Sequence, residues 1–140
     1  MTMNINPYDI DVAVQAYLDT NWAYKTVCPI REINKDDATV PYIECYTKPG
    51  RMFAIEINGA KERPGVFIIN VFTQKGVGTQ QGYSYCGKLE DLFLNKTIGD
   101  GVVCSNGDLE PYSEYIGIDD ALQACHHKTT IPFHVITEIS

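Results

Sequence analysis

The sequence predicts a single domain in which amphipathic helices pack against a β-sheet, and three observations carry that expectation. The run Val66-Phe67-Ile68-Ile69-Asn70-Val71-Phe72 is apolar on both of its alternating faces, as in a central strand covered above and below. It breaks at Lys75-Gly76-Val77-Gly78, where two glycines permit the reversal that lays a following helix back across the sheet. Another helix-period segment lies near the N-terminus, and short apolar pieces separated by turn residues fill the remainder.

Composition bounds the answer. A chain of 140 residues can bury a core without disulfide or metal staples, and 44% hydrophobic with 21% charged residues is ordinary for a folded protein. No apolar run approaches the roughly 20 residues that span a bilayer. Met1 to Asn6 lacks the basic and apolar regions of a secretion signal, so a soluble protein made in a cytoplasm is expected. Cys28, Cys45, Cys86, Cys104 and Cys125 are dispersed without a Cys-x-x-Cys pair, and read as reduced, buried thiols. A net charge of −7 argues against a general nucleic-acid binder, which needs a basic surface to release counterions.

Asn6-Pro7 is a helix start, with Asn as cap, Pro at the first position and Asp9 favourably placed in the dipole. Ile10, Ala13, Val14, Tyr17 and Leu18 then share one face and Asp11, Gln15 and Asp19 the other, down to Asn21 and an anchoring Trp22. Residues 25–39 read as an irregular crossing segment. Three strands are expected next: Tyr42 to Thr47, opened by Pro41; Met52 to Ile57, with Phe53, Ile55 and Ile57 inward; and Val66 to Gln74. Residues 58–65 read as a polar hairpin tip. A helix from about Thr79 to Asn95 carries the stripe Tyr85, Cys86, Leu89, Leu92 and Phe93, with Gly82 and Gly87 tolerated through close packing on another backbone. Thr97-Ile98 and Val102-Val103-Cys104 are short strand pieces split by Gly99-Asp100-Gly101. The aromatic segment Tyr112 to Ile116 follows, then a turn over residues 117–120. In Ala121 to Val135 the β-branched and aromatic residues favour a strand, whose end Pro132 places at an edge or bulge.

Catalytic candidates are poor. Cys125-His126-His127, with His134 and Cys104, suggests a metal, but adjacent histidines on a strand point to opposite faces and no ligand spacing supports them. Gly76-Val77-Gly78-Thr79 resembles a truncated phosphate loop, yet lacks the third glycine of a dinucleotide fingerprint and the Gly-Lys-Ser/Thr ending of a nucleotide loop. The pairs Asp36-Asp37 and Asp119-Asp120 sit in turn contexts. The nine tyrosines say more: Tyr42 and Tyr46 on one strand face, and Tyr112 and Tyr115 later, suit either sheet packing or an interface.

Taken in order, Pro41-Tyr42-Ile43, Arg63-Pro64-Gly65 leading to Phe72, Gly76-Val77-Gly78 before Leu89, Asp91, Leu92 and Phe93, and Ile131-Pro132-Phe133 resemble the tail terminator (tail completion) proteins of long-tailed bacteriophages and prophages. The similarity covers nearly the whole chain as one domain. It departs at Tyr83, Tyr85 and Gly87, where such proteins are richer in alanine, and at Cys125-His126-His127, which replaces a more apolar run. The resemblance implies an α+β fold, a mixed or antiparallel sheet with two main helices packed on one face. It implies a structural virion protein with no catalysed reaction, cofactor or metal. Such proteins form a hexameric ring that caps the tail tube, ends its polymerisation and docks the head completion protein, working in the host cytoplasm and then at the head-proximal end of the tail. The partners expected are other copies of the chain, the tail tube protein, the head completion protein and DNA sliding through an acidic lumen, with no membrane. Contact is expected through a sheet edge, the loops around 47–51 and 99–111, the hairpin tip with Lys61, Glu62 and Arg63, and Tyr42, Tyr46, Tyr112 and Tyr115. The alternatives are a tail-tube or head–tail joining protein of related fold, or a small-molecule or nucleotide-binding domain using Gly76 to Thr79.

Overall fold

The computed structural model describes residues 7–22, 27–29, 41–51, 53–54, 61–76, 79–99, 101–105, 109–121 and 123–137. Along these the order is α1 (Pro7–Asn21), β1 (Val27–Pro29), β2 (Tyr42–Pro49), β3 (Phe53–Ala54), β4 (Lys61–Gln74), α2 (Gln80–Phe93), β5 (Thr97–Ile98), β6 (Val102–Val103), β7 (Tyr112–Asp119) and β8 (Ala124–Thr137). One sheet takes in every described strand, in the order β1-β2-β4-β8-β6-β5, with β3 beside β4 and β7 beside β8. β1 runs parallel to β2, and the remaining pairs are antiparallel. The fold is α+β, with a mixed sheet.

β4 and β8 form its spine, in register from Lys61↔Thr137 to Gln74↔Ala124. Alternation sends Phe67, Ile69 and Val71 of β4, with Ile131, Phe133 and Val135 of β8, to one face, where they join Ile43 and Cys45 of β2. Ile10, Val14, Leu18 and Trp22 of α1, and Cys86, Leu89 and Phe93 of α2, complete that cluster, so both helices cover the same face. Each large apolar side chain buried there contributes roughly 1.5–3 kcal/mol. The helices also meet: the Tyr17 hydroxyl donates to the Leu92 carbonyl at 2.6 Å, and Tyr17 lies 5.3 Å from Phe93 between ring centres. The other face is buried as well, through Tyr42, Ile68, Phe72 and Thr130. There Tyr42 stacks on Phe72 at 5.1 Å and Phe72 on His126 at 4.7 Å, an aromatic ladder across three strands.

Several expectations need correction. Val27–Pro29 is a strand within the segment read as irregular. β4 begins at Lys61, so Lys61, Glu62 and Arg63 are ladder residues, paired to β3 and β8, and no longer a loop tip. Pro64 survives there because the neighbour changes: β2 ends opposite Gly65 and β3 starts opposite Glu62. Pro132 lies inside β8 and does not end it, for the same reason. β7 covers β8 up to Thr130 and β6 begins at His134, so Pro132 falls between them and its missing N–H breaks no ladder on that side. Ile116 is bulged out of β7, Gly117 follows it at φ +140°, and the strand continues to Asp119. Asp11 and Gln15 do not face water: Thr47 donates its hydroxyl to Asp11 at 2.8 Å, and Gln15 donates its side-chain amide to the Cys45 carbonyl at 3.1 Å. The alternation expected at Ile55 and Ile57, the cap at Asn6 and the residues Val77 and Gly78 lie outside the described residues.

Candidate interaction surface

β7 is the element whose side chains and position disagree. Tyr112, Tyr115, Ile116 and Ile118 are 40–50% exposed, four large apolar residues on one eight-residue strand. Among the described residues β7 pairs with β8 on one side and with nothing on the other. An open edge lined by apolar groups is a template for another chain unless something guards it. Two guards are present. The bulge between Tyr115 and Gly117 interrupts the ladder, and acidic residues flank and occupy the strand. From Asp108 to Asp120 there are five acids (Asp108, Glu110, Glu114, Asp119 and Asp120) and no base. Lys128 of β8 reaches Glu114 at 3.3 Å on the exposed surface.

The inner side of β7 is fastened to α2. The Ser113 hydroxyl bonds both Glu90 Oε2 at 2.5 Å and Thr129 Oγ1 at 2.9 Å. Beside it, Tyr83 of α2 and Tyr115 of β7 close over His127, with ring centres 4.6 and 5.0 Å from the imidazole. His127 is fully buried, and neither ring nitrogen has a hydrogen-bond partner among the described residues. Burial accordingly pushes its basicity below the ordinary histidine value. Gly82 makes this seating possible, because a Cβ there would overlap Nδ1 and Cε1 of the ring. The close approach expected at Gly82 is therefore to a side chain and not to a backbone. Gly87 has open space around it, and nothing in the structure explains its glycine.

Other sequence candidates are scattered. His126 points to the helix-free face, where Nε2 pairs with Asn70 Oδ1 at 2.8 Å, while His134 Nδ1 pairs with the Ser105 carbonyl at 2.6 Å. The three histidines thus have three separate environments. Cys45, Cys86, Cys104 and Cys125 are buried and outside any disulfide. Burial pushes the Cys104 thiol up to about 12. It also raises Cys86, against the hydroxyls of Thr129 and Ser113 and with help from Glu90, so neither is a ready thiolate at neutral pH. No three His, Cys, Asp or Glu residues converge as metal ligands among the described residues, and no described helix is long and apolar enough to cross a membrane.

The expected contact residues fall into three places. Tyr112 and Tyr115 lie on β7. Tyr42 is 1% exposed and belongs to the packed face of the sheet, whereas Tyr46 is half-buried on the same strand. Lys61, Glu62 and Arg63 stand at the far end of β4, where Arg63 donates to the Gly50 carbonyl at 2.9 Å. The sequence reading missed Ile116 and Ile118, which it assigned to a segment end and a turn, and the run of acids around them. That run is visible as a charge pattern and was the available signal. The chain matches no protein-family model, and no curated protein resembles it in sequence at a significant level.

Proposed function

We propose that this chain is a structural subunit that assembles with copies of itself into a closed ring, caps a phage tail tube, ends its polymerisation and offers the docking surface for the head completion protein. The observation that carries the reading is the open β7 edge, where four large apolar side chains stand exposed on a strand paired on one side among the described residues. Solvating such an edge is unfavourable, and a cyclic head-to-tail contact covers it without runaway growth. The ordered resemblance from Pro41-Tyr42-Ile43 to Ile131-Pro132-Phe133 supplies the tail context, and a net charge of −7 suits a lumen through which DNA slides without sticking.

The test is tube length. Tail-tube subunits from a phage whose genome encodes this chain are polymerised with and without it, and lengths are read by electron microscopy. Capping shortens and narrows the distribution, with a ring visible at one tube end. Unchanged lengths overturn the reading, and co-polymerisation into the wall favours a tube subunit of related fold. Tight, salt-sensitive binding of duplex DNA by the purified protein would remove the sliding-lumen element.

A further inference from the structure

We infer that a second copy of this chain docks its basic corner, around Lys48, Arg51 and Arg63, onto the acidic, apolar outer edge of β7. The inference rests on the self-association reading above and names the two surfaces that meet.

The described edge carries four acids and no base of its own from Leu109 to Asp120, with exposed Tyr112, Tyr115, Ile116 and Ile118 among them and a single base, Lys128 of β8, paired to Glu114. The complementary surface lies where β2, β3 and β4 converge. The described side chains there include three bases, Lys48, Arg51 and Arg63, and one acid, Glu62, in a protein whose net charge is −7. Lys48 and Arg51 are exposed, and Arg63 is half-buried beside Gly50.

Placement settles what kind of contact these surfaces can make. β4 and β8 separate β2 from β7 across the sheet. Along the strands, β7 pairs with Ala124 to Thr130, whose partners in β4 are Gln74 to Ile68. The basic corner is formed against the other end of β4, where Val66 pairs with Lys48 and Glu62 with Phe53. The two patches thus occupy diagonal corners and cannot meet within one subunit. A two-fold contact of β7 with β7 would set acid against acid beside a bulged ladder, which is unfavourable. A head-to-tail contact pairs acid with base and covers the apolar strip, and repeated it generates a ring or a filament. The apolar residues supply the buried area, while the charges fix orientation and exclude the two-fold alternative.

The experiment uses the 140-residue chain and two double variants at exposed positions, Glu110→Lys with Ile118→Lys on the edge and Lys48→Ala with Arg51→Ala on the corner. Unchanged circular dichroism and melting establish that both fold. Sedimentation velocity should show concentration-dependent oligomers for the natural sequence and at least a tenfold weaker association for each variant alone. Mixed in equal amounts, the variants should form a 1:1 dimer and nothing larger, since each retains one of the two surfaces. Variants that assemble like the natural chain, or a mixture that stays monomeric or recovers full-size oligomers, overturn the inference while leaving tube capping untouched. A natural chain monomeric up to about 1 mM also overturns it, whatever the tube-length assay shows; a tube-length failure with the 1:1 dimer present overturns only the capping role.

Discussion

β4 and β7 lie antiparallel along β8, one on each side of it, and both are rich in large apolar side chains. β4 pairs along its whole length and is buried on both faces from Phe67 to Thr73, whereas Tyr112, Tyr115, Ile116 and Ile118 of β7 remain exposed. What differs is the neighbourhood. β4 has a strand on each flank and helices above, while β7 has β8 on one flank, α2 reaching it through Glu90 and Ser113, and no further strand among the described residues. Apolar content makes a strand; position decides whether that strand stabilises the subunit or serves something outside it.

Truncation tests the contrast most strongly. Phe67→Ala, which opens a cavity against Phe93, should cost about 3–5 kcal/mol in urea unfolding. Ile118→Ala on the exposed edge should cost less than about 1 kcal/mol. Similar losses at the two positions would abolish the distinction. The seam between β7 and α2 is probed next. Gly82→Ala drives a methyl group into the His127 ring and should destabilise by about 1–3 kcal/mol. Adding His127→Ala should cost less than the sum of the single changes, because the clash is gone. Strict additivity would mean that the ring and the glycine do not share the space.

Acidity examines the same seam. Burial keeps the His127 imidazole below its ordinary value near 6.5, so the unfolded chain takes up a proton that the folded chain resists. The stability is complete above pH 6.5 and is lost as pH falls toward the lowered folded value, by at most about 1.4 kcal/mol per unit. Urea midpoints at pH 7.5 and 5.5 should separate more for the natural chain than for His127→Leu, and equal separations would refute the assignment. The smallest effect belongs to the outer surface. Lys128→Ala removes an exposed ion pair with Glu114 and should change stability by a few tenths of a kcal/mol. A larger loss would show that β7 is held on by charge as well as by Ser113 and Tyr115.

Local pattern made much of this legible. The apolar run from Val66, the stripe of α2 and the β-branched residues of β8 each declare their element within a few residues. What escaped depended on distant partners. Pro64 and Pro132 look like strand ends until one sees that the neighbouring strand changes at each. Asp11 and Gln15 look solvent-facing until β2 lies alongside to bond them. The candidate surface divides the same way. Tyr112 and Tyr115 look as sheet-like as Tyr42, which Phe72 and the rest of the sheet enclose, and only the acids around them mark their segment as different.

The pairing of β4 with β8 also governs how the chain can be made. Their register partners are separated by between 50 residues, Gln74 with Ala124, and 76, Lys61 with Thr137. During synthesis β4 emerges with its sticky flank unoccupied, and it stays so until the last of these residues clears the ribosome. A premature stop before Ala124 would release a product with that flank bare, a substrate for chaperones and proteases.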